Sequence, residues 1–168
     1  MTEDENILRF CHQSNLIEGI DDLSADRQMS VAYRWLMRQE MVTWGTILEL
    51  HSVMLDGFED RPDIWNGYPE PTGKFRDCDV WVGGRKCPDA KLIRSLTMSW
   101  CEKYGIGGGL TADECLKSHV EYEHVHPFID GNGRTGRLLM AWVYLKNGNE
   151  PPLFRAKERY KKYYPLFA

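Results

Sequence analysis

Apolar positions recur along this chain mostly at helical spacing, and the breaks between them mark its elements. Over residues 28–41 (QMSVAYRWLMRQEM), Val31, Tyr33, Trp35 and Leu36 form such a pattern. Side chains three and four positions apart share one helix face, so a stripe of this kind predicts an amphipathic helix. Residues 43–56 repeat it, with Thr43 placed to cap the start and Gly57 to end it. Helical spacing returns over residues 89–104 (Leu92, Ile93, Leu96, Trp100) and is broken by Gly107, Gly108 and Gly109. Thr111 and Glu114 then fit a capping box. The helix they open would set Cys115, His119, Tyr122 and His126 on one face, and Pro127 would stop it one residue later. A last long helix is predicted to follow Gly133 and to run to about Asn147. Its stretch 138–145, LLMAWVYL, is apolar on every side, which suits a central buried helix. Gly148 and Pro151–Pro152 close it.

The period changes to two only in residues 74–84, KFRDCDVWVGG. There Val80 and Val82 alternate with Asp79 and Trp81, and Gly83–Gly84 stop the run. The pattern predicts a short hairpin at most. Two strands alone are marginal and have free edges, so the hairpin must lie on helices, with an edge able to pair with another chain. The preceding residues 61–73 are rich in Pro and Gly and predict a loop. The fold class is therefore all-α with one small β-hairpin. No repeat or low-complexity linker divides the chain. We expect a single domain over 1–168, made of a helical N-terminal segment, 1–40, and a core, 41–168.

Composition narrows the classes of function. The chain has 168 residues, 42% hydrophobic and 27% charged, with a net charge of −4. That balance offers no bulk electrostatic reason for a nucleic acid or an anionic membrane as partner. The longest apolar run, 138–145, is far short of the roughly 18 residues that span a bilayer. The polar start MTEDEN is unlike a secretory signal, and no further domain is expected after residue 168. The cysteines (11, 78, 87, 101 and 115) include no CxxC pair. They are expected to be reduced thiols of a cytoplasmic protein, with neither a disulfide framework nor a zinc site.

The chemistry concentrates in residues 124–140, HVHPFIDGNGRTGRLLM. Gly131 to Gly136 satisfy G-x-G-x-x-G, but that dinucleotide pattern needs a preceding strand and a βαβ unit, and neither is present. The residues instead suit a phosphate cradle at a helix N-terminus, where free N–H groups and the helix dipole favour an anion. Gly131 and Gly133 let the backbone approach phosphate oxygens. Arg134 and Arg137 can add charge-assisted bonds to a polyphosphate. Asp130 offers a hard oxygen to a Mg²⁺ carried by nucleotide phosphates. His126, with an ordinary pKa of about 6.5, is fit to take a proton from a hydroxyl. Other features read as structure. His51 and His119 are expected to be packed histidines, and Glu121, Glu123 and His124 surface residues. Residues 157–162 suggest a solvated C-terminal helix. Tyr160, Tyr163 and Tyr164 suit packing better than contact with a nucleotide base.

Residues 126–137, HPFIDGNGRTGR, match the Fic signature H-x-F-x-[DE]-G-N-G-R-x-x-R at every specified position, and the chain resembles that family over roughly residues 10–165. The resemblance implies a Fic-type helical core around a central buried helix, with a β-hairpin flap over the active site. It implies ATP with Mg²⁺ and transfer of AMP to a hydroxyl of a target protein. Carried over, His126 is the general base and Asp130 the metal ligand. Gly131, Asn132 and Gly133 form the anion hole, Arg134 and Arg137 bind phosphates, and Phe128 anchors the loop. PTGKFRDCDVWVGG is similar to the Fic flap, with Lys74, Phe75, Arg76, Val80, Trp81 and Val82 as target-binding residues. The segment Ser14-Asn15-Leu16-Ile17-Glu18-Gly19 matches the family's inhibitory motif, [ST]-x-x-x-E-[GN]. A Glu18 carboxylate paired with Arg137 would take the charge meant for the γ-phosphate.

The expected partner is thus a protein modified on Tyr, Thr or Ser and bound along the flap edge, with neither nucleic acid nor membrane. The same free edge leaves room for a homodimer. Two other enzyme readings use the same site: removal of AMP with Glu18 orienting a water, and transfer of another phosphate-linked group. A nucleotide-binding interaction module is the non-enzyme alternative; the presence of both His126 and Asp130 argues against it.

Overall fold

A computed structural model describes residues 2–56 and 72–168. Its α-helices are α1 (Glu3–Ile17), α2 (Leu23–Met37), α3 (Trp44–Leu55), α4 (Ile93–Tyr104), α5 (Ala112–Val125) and α6 (Asn132–Lys146). Between α3 and α4 lies an antiparallel hairpin, β1 (Trp81–Val82) and β2 (Arg85–Lys86). Helix α6 is central, as its all-round apolar stretch implies: Leu138 to Val143 are fully buried. It packs against α1, α2, α3 and α5. No helix of the described residues is long and apolar enough to cross a membrane. All five cysteines are free thiols.

Helix ends follow local chemistry. Thr2 and Glu5 form a capping box at the start of α1, and Thr43 and Thr46 form one at α3. Asp22 caps α2, accepting the Ser24 N–H at 2.7 Å, so α2 starts before the apolar stripe that predicts it and stops at Met37 rather than 41. The predicted stop at Gly57, and most of the predicted loop 61–73, lie outside the described residues. Helix α1 ends in a Schellman motif. Gly19 is left-handed (φ +78°), Ile20 N–H donates to the Asn15 carbonyl, and Gly19 N–H to that of Leu16. This places Glu18 at the C-cap of the helix. Asp26, buried on α2, accepts from the Asn15 amide at 2.8 Å and lies 2.8 Å from His12 Nδ1, which pins α1 to α2.

The hairpin is as short as its alternation predicts. Gly83 and Gly84 have φ of +57° and +80°, the sign pattern of a two-residue type I′ turn. Its base is tied inward by Arg76, which is buried. The Arg76 guanidinium donates to the carbonyls of His126 (2.7 Å), Cys78 (2.8 Å) and Pro88 (2.6 Å).

Three expectations need correction. Helix α5 stops at Val125, and His126 is already left-handed (φ 51°, ψ 64°), so it leaves the face shared by Cys115, His119 and Tyr122. The C-terminal helix expected over residues 157–162 is not an α-helix. In its place a 3₁₀ turn (Ala156–Glu158), a π-helical turn (Arg159–Tyr163) and a second 3₁₀ turn (Tyr164–Phe167) follow one another. Pro165 bars an α-helix from running on through these turns, because it lacks an N–H and crowds the carbonyl four residues back. Finally, Glu123 is not a surface residue; it is turned inward beside the site.

Candidate active site

The loop from His126 to Gly131 joins α5 to α6, and its shape is held by two side chains. The Asn132 amide bonds Phe128 at both ends: Oδ1 accepts from the Phe128 N–H and Nδ2 donates to the Phe128 carbonyl, each at 2.8 Å. His51 on α3 does the rest. Its Nδ1 accepts the Gly73 N–H at 3.0 Å, so its Nε2 carries the proton and donates to the Asp130 carbonyl at 3.0 Å. Its ring stacks on Phe128 at 3.8 Å. Burial pushes its pKa down to about 4, which keeps it in this neutral form. His51 is thus a packed, satisfied histidine, and it ties the loop to the base of the flap.

The loop delivers an open helix start. Gly131 is left-handed at the N-cap of α6, with no side chain capping the helix. The first backbone N–H groups of α6 therefore face a cavity of about 100 Å³ lined by Glu18, His126, Ile129, Asp130 and residues 131–134. A side chain on Gly131 would press on His51 and Met54, and one on Gly133 would meet the Glu18 carboxylate. The absence of Cβ keeps the cradle open at Gly133 and lets the loop pack against His51 and Met54 at Gly131.

His126 is mostly enclosed. Its Nδ1 is buried without a hydrogen-bond partner among the described residues and lies 3.9 Å from Glu123 Oε2. With Nδ1 turned inward, Nε2 is the ring atom left for the cavity. Burial pushes the His126 pKa down to about 4, against the opposing Glu123 backbone carbonyl, so the ring is neutral and can accept a proton. Asp130 keeps 39% of its side chain exposed and pairs with Arg134 at a long 3.3 Å. No cluster of three or more acidic, His or Cys ligands exists among the described residues. A Mg²⁺ at Asp130 would take most of its coordination from phosphate and water, which is how this ion usually binds.

Glu18 sits at the open start of α6. Its Oε1 accepts from Arg137 Nη2 at 2.7 Å, and the same oxygen lies over Gly133 at the start of α6. The Arg137 side chain is only 2% exposed, that of Glu18 36%. Ser14, buried on the turn before Glu18, takes Arg137 Nε on its hydroxyl (2.7 Å) and Nη2 on its carbonyl (2.9 Å). Helix α1 thereby places a carboxylate where the N–H groups and the guanidinium converge.

Comparisons with known proteins show the family and the fold. A sequence model of the Fic/DOC family matches residues 41–144, well over half of the chain. The chain belongs to the Fic/DOC family. Protein adenylyltransferase Fic of Drosophila ananassae is 32% identical over 147 residues, which cover 84% of this chain and 27% of that protein. The chain thus spans about a quarter of the length of the curated relatives it matches. Among solved structures, a Fic domain containing signaling protein from Bacteroides thetaiotaomicron superposes with a TM-score of 0.76 at 20% identity, over 97% of this chain and 71% of that one. BepC of Bartonella tribocorum, solved with bound AMPPNP, reaches 0.50 at 15% identity, over 78% of this chain and 72% of that one.

Within this Fic fold, several predicted site residues are separated in role by their surroundings. His126, Asp130, residues 131–134 and Glu18 share one cavity. Arg137 faces it from beneath, through Glu18. The Asn132 side chain is used up inside the loop, which leaves its backbone N–H as the group at the cradle. On the flap, Lys74, Trp81 and Val82 are exposed. Phe75 packs near Trp44 and Phe128. With its guanidinium spent on carbonyls, Arg76 holds the flap down and presents nothing to a target. Reading the chain as a sequence missed two further residues. Glu123 lies over Gly136, where a Cβ would strike its carboxylate. Tyr163 reaches Arg137 from the C-terminal turns, Nη1 donating to its hydroxyl at 2.7 Å. The E-x-x-H spacing of Glu123 and His126 was the available signal for the first; nothing local signalled the second.

Proposed function

We propose that this Fic domain transfers AMP from ATP to a hydroxyl side chain of a protein, and that Glu18 holds it in check. The observation that carries the reading is the Glu18 carboxylate, bonded to Arg137 and seated over Gly133 at the open end of α6. A carboxylate held there occupies the position this reading gives to a phosphate, and that supports it. The adenylyltransferase name of relatives about 32% identical supports AMP as the group moved. The AMPPNP in BepC supports a nucleoside triphosphate as its source.

The chemistry follows from the chain's own groups. With the triphosphate in the cradle, the N–H groups of α6 and Arg134 hold its oxygens, and Arg137 receives the γ-phosphate once Glu18 withdraws. The target hydroxyl oxygen attacks the α-phosphorus; His126 Nε2 takes its proton. The bond from that phosphorus to the α–β bridging oxygen breaks, and pyrophosphate leaves. A Mg²⁺ at Asp130 would supply charge neutralisation to the phosphates. With Glu18 on Arg137, the γ-phosphate loses its partner and the α-phosphorus falls out of line. The target, modified on Tyr, Thr or Ser, adds to the open edge of the hairpin through main-chain bonds.

Intact-mass analysis of the parent protein and Glu18→Gly after incubation with MgATP tests the reading. The variant should gain one or more AMP adducts while the parent gains almost none. No adduct on either, with ATP still bound, would leave a nucleotide-binding module in place of an enzyme.

A further inference from the structure

Among the described residues Arg137 donates to four acceptors, and three of them belong to α1 and its C-cap: the Ser14 hydroxyl, the Ser14 carbonyl and Glu18 Oε1. The fourth is the Tyr163 hydroxyl, 2.7 Å from Nη1, on the far side of the guanidinium. The Tyr163 ring also lies under the cation, 5.2 Å from its central carbon. Because the hydroxyl accepts from Arg137, its own proton is left for another acceptor. His119 Nε2 lies 3.0 Å away. His119 is buried, and burial together with the Arg137 charge pushes its pKa down to about 3, so its ring is neutral. Accepting at Nε2 requires the tautomer with its proton on Nδ1. In that tautomer the chain is directed, from Arg137 Nη1 to Tyr163 to His119. Tyr163 is wedged against Phe154 (5.0 Å) and Phe167 (5.1 Å), so the hydroxyl has a fixed place.

This arrangement has a consequence when Glu18 leaves. Nη2 loses one acceptor and becomes free for another. The plane of the guanidinium must not turn with it, or the vacated donor would miss the cavity. Ser14 holds one side of that plane and Tyr163 the other. We propose that Tyr163, itself held by His119, is a positioning residue that aims Arg137 at the terminal phosphate of a nucleoside triphosphate. The inference rests on the reading of Arg137 as the γ-phosphate ligand. A residue that merely filled the core would lower stability without affecting how the site distinguishes three phosphates from two.

The test measures that distinction. Calorimetry of the full chain carrying Glu18→Gly gives the affinities for MgATP and MgADP, and labelled-ATP transfer gives KM and kcat. Adding Tyr163→Phe keeps the ring and removes the acceptor. It should weaken ATP about tenfold, the effect of losing one hydrogen bond to a charged group, and leave ADP within about twofold. KM for ATP should rise with it and kcat should fall, since the γ-phosphate contact also keeps the α-phosphorus in line. His119→Leu should shift the ATP-to-ADP ratio in the same direction, and His119→Gln, which keeps an acceptor near the Nε2 position, should restore it. Equal loss of ATP and ADP in Tyr163→Phe, or no loss of either, overturns the inference. So does a His119→Leu protein that binds both as its parent does, which decides the matter should Tyr163→Phe not fold. Arg137→Ala is run in parallel. If it leaves the ATP-to-ADP ratio unchanged, the γ-phosphate reading itself is wrong and the positioning role falls with it. If only Arg137→Ala changes the ratio, the phosphate reading stands and Tyr163 is packing alone.

Discussion

Glu123 Oε2 lies 3.9 Å from His126 Nδ1, and Glu123 Oε1 is buried with no hydrogen-bond partner among the described residues. Burial pushes this carboxyl up to about 8; Arg137 opposes the shift and Glu18 adds to it. A carboxyl whose pKa is higher in the folded chain than in the unfolded one stabilises the fold at low pH. That contribution is lost as the pH rises from about 4.5 toward 8. Glu123→Gln cannot titrate, so its stability should fall less than the parent's between pH 5 and pH 9. Urea melts across that range check it; parallel curves for the two proteins would contradict the assignment.

The neutral His126 makes a separate pH prediction. With its pKa near 4, the base is ready well below the ordinary histidine range. AMP transfer by Glu18→Gly should lose activity on the acid side with a midpoint closer to 4 than to 6.5. His126→Ala in that background should cost about 10²–10⁴-fold in transfer, yet keep MgATP binding, because the cradle does not depend on the ring. An acid limb at 6.5, or full transfer without the histidine, would remove His126 from the role.

Arg137 keeps Ser14 and Tyr163 when Glu18 is gone, and Glu18 is partly exposed. Glu18→Gly should therefore lower stability by about 1–3 kcal/mol, between the values of exposed and fully buried pairs. MgATP should restore it by binding the folded state. Thermal melts with and without nucleotide read both effects. Glu18→Gly with Arg137→Ala should lose the transfer activity again; retention of it would sever the inhibitor from the phosphate site.

Asp130→Ala should weaken transfer more at low Mg²⁺ than at high, since the phosphates retain part of the ion's coordination by themselves. Titrating Mg²⁺ in the transfer assay decides between this and a purely structural carboxylate, for which the Mg²⁺ dependence would not change.

The hairpin places Val80 at the end of its pairing, where its carbonyl accepts the Cys87 N–H at 2.9 Å. Trp81, one residue on, turns its own N–H to the free edge, and Trp81→Pro removes it. If a target strand adds along this edge, the variant should modify targets several-fold more slowly with nucleotide binding intact. Equal loss of both would place the damage in the fold.

Much of this was legible in the linear chain. The periodicity of 138–145 marks α6 as the buried axis, because only a helix enclosed on all sides is apolar all round. The Thr111 capping box, the Gly83–Gly84 turn and the run 126–137 are likewise local chemistry, written within a few residues. So is the pairing of a helix-ending Glu18 with Gly19, since the left-handed turn at residue 19 needs glycine. Other features follow no local rule. His126 leaves its helix face because the backbone turns left-handed one residue early, a choice made by the loop it must enter. Arg76 is a charged flap residue in sequence and a buried clamp in space, because the carbonyls it serves come from residues 78, 88 and 126. Glu123 looks like a solvent-facing carboxylate until α6 lays Gly136 beside it. Tyr163 meets Arg137 and His119 from turns that carry no motif at all. Local patterns select elements and loop shapes. The partners of a buried charge come from distant parts of the chain, and only packing brings those together.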